Sequence, residues 1–340
     1  MTEITPKKRL LDALNKKQTD RPPVICMGGM MNASIVEVMN SSGYALPAAH
    51  DSAELMVSLA GAIQQQTGFE NLGVPFCMTV EAELLGSTID KGTLSCEPKI
   101  VREAFGSVEK VVLRDIDEMI GEGRIHTVTS ATGWLAEKHA HLPVIVSMTG
   151  PVSTAASIVD PMTFYKQLRK NPAGAHRVLE YVTALLIRFA EESVKAGATV
   201  IAIGDPSATG EILGPAMFQE YAVRYLNILA EAVHGLGTPV ILHICGNIDR
   251  VRYLVPELRA DALSTDAMVN LAKLKEEYPE IITMGNLSTY ALEWSTPGKI
   301  ADQTKKLVDD GIDIISPACG LSTSTTVANI RAMTGAVHGG

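Results

Sequence analysis

The sequence lacks any uninterrupted apolar run long enough to cross a membrane, which takes about 20 residues in a helix. Its most apolar helical stretch, residues 182–194, is interrupted by Arg188, Glu191 and Glu192. Residues 1–8 also lack the apolar core of a secretory signal peptide. These absences argue against insertion into a membrane and predict a soluble protein of the cytoplasm.

A surplus of positive charge is absent as well. The 340 residues include 29 Lys and Arg against 38 Asp and Glu, which gives a formal net charge of −9. The basic side chains are scattered rather than clustered, and this argues against a nucleic-acid partner. The cysteines are few, odd in number and far apart: Cys26, Cys77, Cys96, Cys245 and Cys319. Such a set fits reduced thiols and metal ligation better than a disulfide framework.

One stretch, residues 240–247, carries the most informative pattern. It reads Val-Ile-Leu-His-Ile-Cys-Gly-Asn, a short apolar run that predicts a buried strand leading into a loop. His243 and Cys245 are two residues apart, so on an extended backbone their side chains point to the same side. An imidazole nitrogen and a thiolate at one strand end suit Zn²⁺, which binds nitrogen and sulfur ligands tetrahedrally.

Cys319 offers a third ligand, because it follows a similar apolar run at residues 313–318. We therefore assign His243, Cys245 and Cys319 as metal-binding and catalytic residues. The alternative is that both cysteines are small core side chains and that His243 caps a loop. Three such residues at predicted strand ends favour the metal site.

Eight short apolar runs recur along the chain between stretches of helical periodicity. They span residues 24–27, 74–80, 143–148, 199–205, the start of 240–247, 260–266, 281–286 and 313–318. Runs without polar alternation are typical of parallel strands covered by helices on both faces. Eight of them favour a closed (β/α)₈ barrel, or TIM barrel, over an open doubly wound sheet, and no G-x-G-x-x-G fingerprint follows the first run.

We expect residues 1–340 to form one barrel domain, with an N-terminal helical entry and an excursion around residues 87–112. The helical entry begins with Thr5 as its cap and Pro6 in the first position. Further helices are predicted at residues 34–67, 124–139, 173–196 and 215–234.

Catalytic residues of such a barrel collect at the carboxyl ends of its strands. The predicted strand ends carry Asp205, His243, Cys245, Asp266, Asn286 and Cys319. Asp266 is either a possible fourth metal ligand, displaced when substrate arrives, or a helix cap or a carboxylate that orients a ligand. Substrate contacts are predicted at Asp205, Asn247, Asn286 and Ser153. The loop 150–154 around Ser153 either cradles an anionic head group with its amides or is a simple turn before a helix, and Asp205 is alternatively a helix cap.

A zinc site with two thiolates is a weaker Lewis acid than one with three histidines. It suits the binding of a substrate thiol as a thiolate rather than the generation of hydroxide, because coordination to zinc deprotonates a thiol. A thiolate can attack an electrophilic carbon, so the donor set predicts alkyl transfer to sulfur.

The pattern His243-x-Cys245 with Cys319, 74 residues further on, resembles the H-x-C…C zinc motif of the methylcobamide:coenzyme M methyltransferases. This family is a branch of the uroporphyrinogen decarboxylase superfamily, and the resemblance covers nearly the whole chain. Segments similar to the superfamily are 5–10, 20–23, 144–155, 197–205, 242–247, 285–287 and 317–320.

The resemblance implies a (β/α)₈ barrel with Zn²⁺ at His243, Cys245 and Cys319. It also implies that the zinc holds the thiolate of coenzyme M, the co-substrate. This thiolate attacks the methyl group of a methyl-Co(III) corrinoid that a separate protein carries. The expected partners are thus a corrinoid protein and a small thiol.

Three alternatives stay open from the sequence. A uroporphyrinogen decarboxylase is disfavoured because Gly28 and Asn32 stand where that branch has arginines that grip substrate carboxylates. A corrinoid-dependent methyltransferase could use another donor or acceptor, such as tetrahydrofolate, methanol or a methyl ether. A non-enzymatic corrinoid-protein binding module would have a structural zinc with no exchangeable position.

Overall fold

The computed structural model describes residues 4–339 and contains nine strands. Their bounds are β1 (Leu72–Val74), β2 (Thr88–Asp90), β3 (Lys99–Arg102), β4 (Val144–Thr149), β5 (Val200–Gly204), β6 (Val240–Ile244), β7 (Ala262–Thr265), β8 (Ile282–Leu287) and β9 (Ile314–Pro317). Seven of them form one parallel sheet in the order β1-β4-β5-β6-β7-β8-β9, and β2 and β3 form a separate antiparallel pair. Each strand of the large sheet thus lies beside its predecessor, as right-handed strand–helix–strand units require.

The segment 24–27 closes this sheet into a barrel. The N–H of Ile25 donates to the carbonyl of Ile315 in β9 at 3.0 Å, and the N–H of Ile315 donates to the carbonyl of Pro23 at 2.9 Å. On the other side, the N–H of Glu70, just before β1, donates to the carbonyl of Val24 at 2.9 Å. The segment therefore lies between the two edge strands of the sheet, β1 and β9, in the position of an eighth barrel strand. The predicted (β/α)₈ fold class is confirmed.

Fifteen α-helices lie among the described residues. Their bounds are α1 (Pro6–Leu14), α2 (Val36–Ser42), α3 (Ala53–Thr67), α4 (Val80–Leu84), α5 (Ile116–Met119), α6 (Gly123–Lys138), α7 (Pro151–Ile158), α8 (Pro161–Lys170), α9 (Pro172–Ala196), α10 (Gly214–Met217), α11 (Arg224–Gly235), α12 (Leu271–Glu277), α13 (Thr289–Trp294), α14 (Pro297–Asp309) and α15 (Val327–His338). Short 3₁₀ turns occur at Ala48–His50, Val108–Lys110 and Arg252–Glu257, and a π turn at Phe218–Val223 joins α10 to α11.

Two predicted elements are wrong in their extent. The second strand ends at Val74 rather than running over 74–80, because Pro75 has no N–H to donate to a neighbouring strand, and the chain turns into a loop before α4. The helix predicted over 34–67 is broken into α2 and α3. Gly43, with φ at +76°, ends α2 in the left-handed conformation, and Pro47 follows.

The barrel strands are buried on both faces, which explains their lack of polar alternation. Neighbouring residues on β4 divide between two apolar clusters: Ile145 faces the barrel interior, whereas Val144 and Val146 pack under the outer helices. Leu10 and Leu14 of α1 join the inner cluster and so plug one end of the barrel. The other end of the barrel, at the carboxyl ends of the strands, holds the predicted metal-binding residues.

Candidate metal site at the carboxyl ends of the strands

The first two predicted ligands sit where β6 ends. His243 is the penultimate residue of the strand and is fully buried, and Cys245 is the first residue after it and is half-buried. Cys319 lies two residues beyond β9, also half-buried. Three residues that are up to 76 positions apart in the sequence therefore reach one end of the barrel.

The structure brings these three side chains together. His243 Nε2 lies 3.1 Å from Cys245 Sγ, and Cys245 Sγ lies 3.8 Å from Cys319 Sγ. All three donor atoms lie within 4.8 Å of one another. Among residues 4–339, no other set of three His, Cys, Asp or Glu side chains converges in this way.

A serine on the neighbouring strand orients the imidazole. His243 pairs with Ser264 in the register of β6 and β7, and His243 Nδ1 lies 2.9 Å from Ser264 Oγ. With the Nδ1 atom engaged by the hydroxyl, Nε2 faces the two sulfurs. Ligand histidines of metal sites commonly use their second nitrogen in this way, which fixes the ring before the metal binds.

The two thiols differ in acidity because they face each other. Hydrogen bonds from the Cys245 thiol and from His243 lower the pKa of Cys319 below its ordinary value. The same contact with Cys319, together with burial, raises the pKa of Cys245 above its ordinary value. The contact therefore favours a thiolate on Cys319 over one on Cys245, and a bound cation would favour ionisation of the second thiol.

Glycine follows each cysteine for a physical reason. Gly246 has φ at +70°, and a β-carbon there would lie 2.5 Å from an Oε atom of Glu211. A β-carbon on Gly320 would lie 2.7 Å from the carbonyl oxygen of Met30. Both turns thus depend on the absence of a side chain at the residue after each cysteine.

Asp266 lies beside the three donor atoms but outside their group. Its carboxylate oxygens accept the N–H groups of Gly246 and Met268, both at 3.4 Å. Its negative charge is one cause of the raised pKa of Cys245. Its role as a fourth ligand stays a prediction.

Asp205 and Ser153 meet on the opposite side of β6, at the start of α7. The buried carboxylate of Asp205 accepts the N–H groups of Val152 and Ser153 at 2.9 and 2.8 Å and the Ser153 hydroxyl at 2.6 Å. Burial raises the pKa of Asp205 to about 6. The carboxylate thus caps α7 from a neighbouring strand, and a contact of either residue with substrate stays a prediction.

The two predicted asparagines are also engaged within the chain. Asn286 donates from Nδ2 to the carbonyls of Asp266 and Val269, both at 2.8 Å. The side chain of Asn247 accepts the N–H of Asp249 at 2.7 Å. The backbone N–H of Asn247 donates to the carboxylate of Glu211 at 3.2 Å. These bonds shape the loops after β6 and β7.

An open cleft of about 670 Å³ leads to Cys319. It lies between the turn that joins β2 to β3, helix α13 and the loop after Cys319. The residues that line it are Met30, Ser95, Cys96, Glu97, Thr289, Tyr290, Glu293, Cys319, Gly320, Leu321, Ser322 and Thr323. Two of these are carboxylates and none is Lys or Arg. Burial and the charge of Cys319 raise the pKa of Glu97.

The sequence interpretation missed four residues of this site. Ser264 has a weak signal, since it is a polar residue in a predicted buried strand that pairs with the strand containing His243. Glu211, Glu97 and Cys96 lie in segments without a clear period. Only the fold of the β2–β3 turn against Thr323, whose hydroxyl donates to the carbonyl of Ser95 at 3.1 Å, brings Cys96 and Glu97 to Cys319.

None of the described helices combines the length and the apolar character that a membrane-spanning helix requires.

Comparisons with known proteins show which chains this one is similar to. The family model for uroporphyrinogen decarboxylase (URO-D) matches residues 5–340. The methylcobamide:CoM methyltransferase MtbA of Methanosarcina acetivorans is 34% identical over 339 residues, which cover 98% of this chain and 97% of that protein. The methylcobamide:CoM methyltransferase MtaA of Methanosarcina barkeri is 30% identical over 99% of this chain and 98% of its own length. A solved structure, a methyltransferase from Methanosarcina mazei, superposes with a TM-score of 0.93 at 30% identity over 99% of both chains.

Proposed function

The chain belongs to the uroporphyrinogen decarboxylase (URO-D) family and, within it, to the methylcobamide:CoM methyltransferases, and from this premise we propose how its barrel works as a methyltransferase. The reaction moves a methyl group from a methyl-Co(III) corrinoid to the thiol of coenzyme M. The corrinoid is carried by a separate protein, and residues 1–340 act as one domain in the cytoplasm.

The observation that carries this proposal is the convergence of His243, Cys245 and Cys319 beside an open cleft. One nitrogen and two sulfurs suit Zn²⁺ better than Mg²⁺ or Ca²⁺, which prefer oxygen ligands. Zinc held by these three residues would supply a positive charge that keeps a fourth, substrate sulfur ionised at neutral pH. Asp266, whose carboxylate accepts the N–H of Gly246 next to Cys245, is the carboxylate we propose to fill that position before substrate arrives.

The residues of the chain prepare this site before substrate binds. Ser264 fixes the imidazole, the glycines after both cysteines let the chain turn there, and Cys319 opens to the cleft. In the transfer, the sulfur of coenzyme M forms a bond to the methyl carbon while the cobalt–carbon bond breaks. The electron pair of that bond stays on cobalt as cob(I)amide, and the thiol proton has left to solvent.

The cleft has room for a small thiol, and the hydroxyls of Ser95 and Thr289 lie on its wall. Because no Lys or Arg lines it, the sulfonate of coenzyme M would be held by neutral donors. Contacts of the other candidates with substrate stay predictions, since none of Ser153, Asp205, Asn247 and Asn286 lines this cleft.

A second candidate is a methyl acceptor other than coenzyme M, because no lining Lys or Arg selects for the sulfonate of coenzyme M. We therefore propose one assay that separates the two: demethylation of free methylcobalamin with coenzyme M, homocysteine or tetrahydrofolate as acceptor. Turnover with coenzyme M supports the first function. Turnover with homocysteine or tetrahydrofolate but not coenzyme M would move the assignment to the second.

Decarboxylation of a porphyrinogen finds no support at the corresponding loop. Gly28 has no side chain to offer, and the Asn32 amide donates to the carbonyls of Gly29 and Phe76 at 2.8 and 3.3 Å. We expect no carbon dioxide release from uroporphyrinogen.

A further inference from the structure

Two aromatic side chains stand out at the rim of the cleft. Tyr290 is 74% exposed and Trp294 is 69% exposed, the highest values for any large apolar side chain among the described residues. Both belong to α13, four positions apart, and their ring centroids are 6.5 Å from each other. Together they form one continuous aromatic surface that is exposed to solvent.

Helix α13 is firmly held, so this exposure does not come from a loose chain end. The Glu293 carboxylate accepts the hydroxyl of Ser322 at 2.8 Å and also that of Ser324. On the inner side Leu292 is fully buried, and Asn329 donates to its carbonyl at 2.8 Å. The aromatic pair is therefore presented in a fixed orientation, as interface anchors are.

The pair is continuous with the proposed reaction site. Tyr290 and Glu293 line the same cleft as Cys319, whereas Trp294 lies one helical turn further out and does not line it. An apolar rim of this kind around a reactive cleft is typical of a protein interaction site.

The proposed function indicates which partner binds to this rim. The methyl group arrives on a macrocycle that a separate protein carries, and it must come within bonding distance of a sulfur beside Cys319. A planar macrocycle presented by a protein brings that protein's surface onto the walls of the cleft. Helix α13 is one of these walls.

We infer that the Tyr290–Trp294 face of α13 is a docking contact for the corrinoid-carrying protein. Trp294 contacts the polypeptide of the partner rather than the corrinoid, because it lies outside the cleft. This inference rests on the proposed function.

The chain supplies its own matched control, because it contains two tryptophans. Trp134 is 46% exposed but lies on α6, the outer helix that precedes β4. The test compares Trp294→Ser with Trp134→Ser. The donors are free methylcobalamin and the methylated corrinoid protein purified from the organism that encodes this chain.

We expect Trp294→Ser to raise the KM for the methylated corrinoid protein about tenfold, which corresponds to about 1.4 kcal/mol, with the rate on free methylcobalamin unchanged. Trp134→Ser should change neither value. An unchanged KM for the corrinoid protein overturns the inference, and so does an equal loss with both donors, because the contact would then be with the corrinoid or the cleft. Wild-type protein that transfers from neither donor overturns the proposed function instead.

Fluorescence tests the contact without turnover. In Trp134→Phe protein, Trp294 is the only tryptophan, and we expect its emission to change saturably on titration with the corrinoid protein. Trp294→Phe protein should show no such change in Trp134 emission. A Trp294 signal that depends instead on the concentration of the chain itself would indicate a second copy at this face and overturn the assignment.

Discussion

His243 Nδ1 lies 2.9 Å from the hydroxyl oxygen of Ser264, and the two residues are paired across β6 and β7. The pairing fixes the imidazole so that its other nitrogen faces two thiols. A residue that no ligand pattern points to therefore sets the geometry of the proposed metal site.

We expect Ser264→Ala to weaken zinc binding by about 10- to 100-fold, because the imidazole loses the partner that orients it. Competition titration with a chelator of known zinc affinity measures this. Ser316→Ala is the matched control, since Ser316 is a buried strand serine whose hydroxyl donates to the neighbouring Pro317 carbonyl rather than to a ligand. Equal zinc affinities in the two variants would contradict the role of Ser264.

The fourth-ligand role of Asp266 can be read from a cobalt-substituted protein. Co²⁺ in a tetrahedral site reports its ligands in its visible spectrum. We expect Asp266→Asn to change the spectrum of the resting protein but not the spectrum after coenzyme M is added, because substrate sulfur would then have displaced the carboxylate. Identical resting spectra would show that Asp266 is not a ligand.

Asp205 accepts three hydrogen bonds from the first turn of α7, all in a buried setting. Asp205→Ala should lower the free energy of unfolding by about 2 to 4 kcal/mol, since two N–H groups and a hydroxyl lose their acceptor. We expect the KM for coenzyme M to stay unchanged. A raised KM with unaltered stability would instead support the predicted contact of Asp205 with substrate.

Asp20 and Arg9 tie α1 to the closed end of the barrel. Arg9 donates to both carboxylate oxygens of Asp20, at 2.7 and 2.8 Å, and these bonds lower the pKa of Asp20 to about 2. The folded-state pKa lies below the unfolded value of 3.8, so the stabilisation is complete above about pH 4 and is lost as the pH falls through about 2.

Because the Asp20 side chain is 43% exposed, solvent screening limits the contribution to about 1 kcal/mol. We expect Asp20→Asn to lower the free energy of urea unfolding by that amount at pH 7, and the difference from wild type to shrink from pH 4 downward. Asp12→Asn, which removes a surface pair with Lys8, is the control. A difference that is the same at pH 7 and pH 3 would rule out this origin.

The sequence is informative where one side chain has one structural meaning. Parallel strands buried on both faces produce short apolar runs, and these runs made the barrel and its eight strand positions predictable. The same reasoning extended the second strand too far, because the run 74–80 is apolar for another reason: Phe76 and Val80 are buried in a loop and in α4.

The site is predictable only in part. His243, Cys245 and Cys319 could be found because soft metal donors at strand ends are uncommon, and a strand end has a known place in a barrel. Ser264 requires the register between two strands, and Glu97 requires the tertiary placement of the β2–β3 turn, which local periodicity does not encode.

Metal analysis of the purified chain and of a Cys245→Ala, Cys319→Ala double variant tests the central claim most directly. The geometry predicts about one zinc per wild-type chain and none in the double variant, while the barrel, whose core does not depend on the half-buried thiols, keeps its circular dichroism spectrum. Zinc content that is unchanged in a folded double variant would contradict the account.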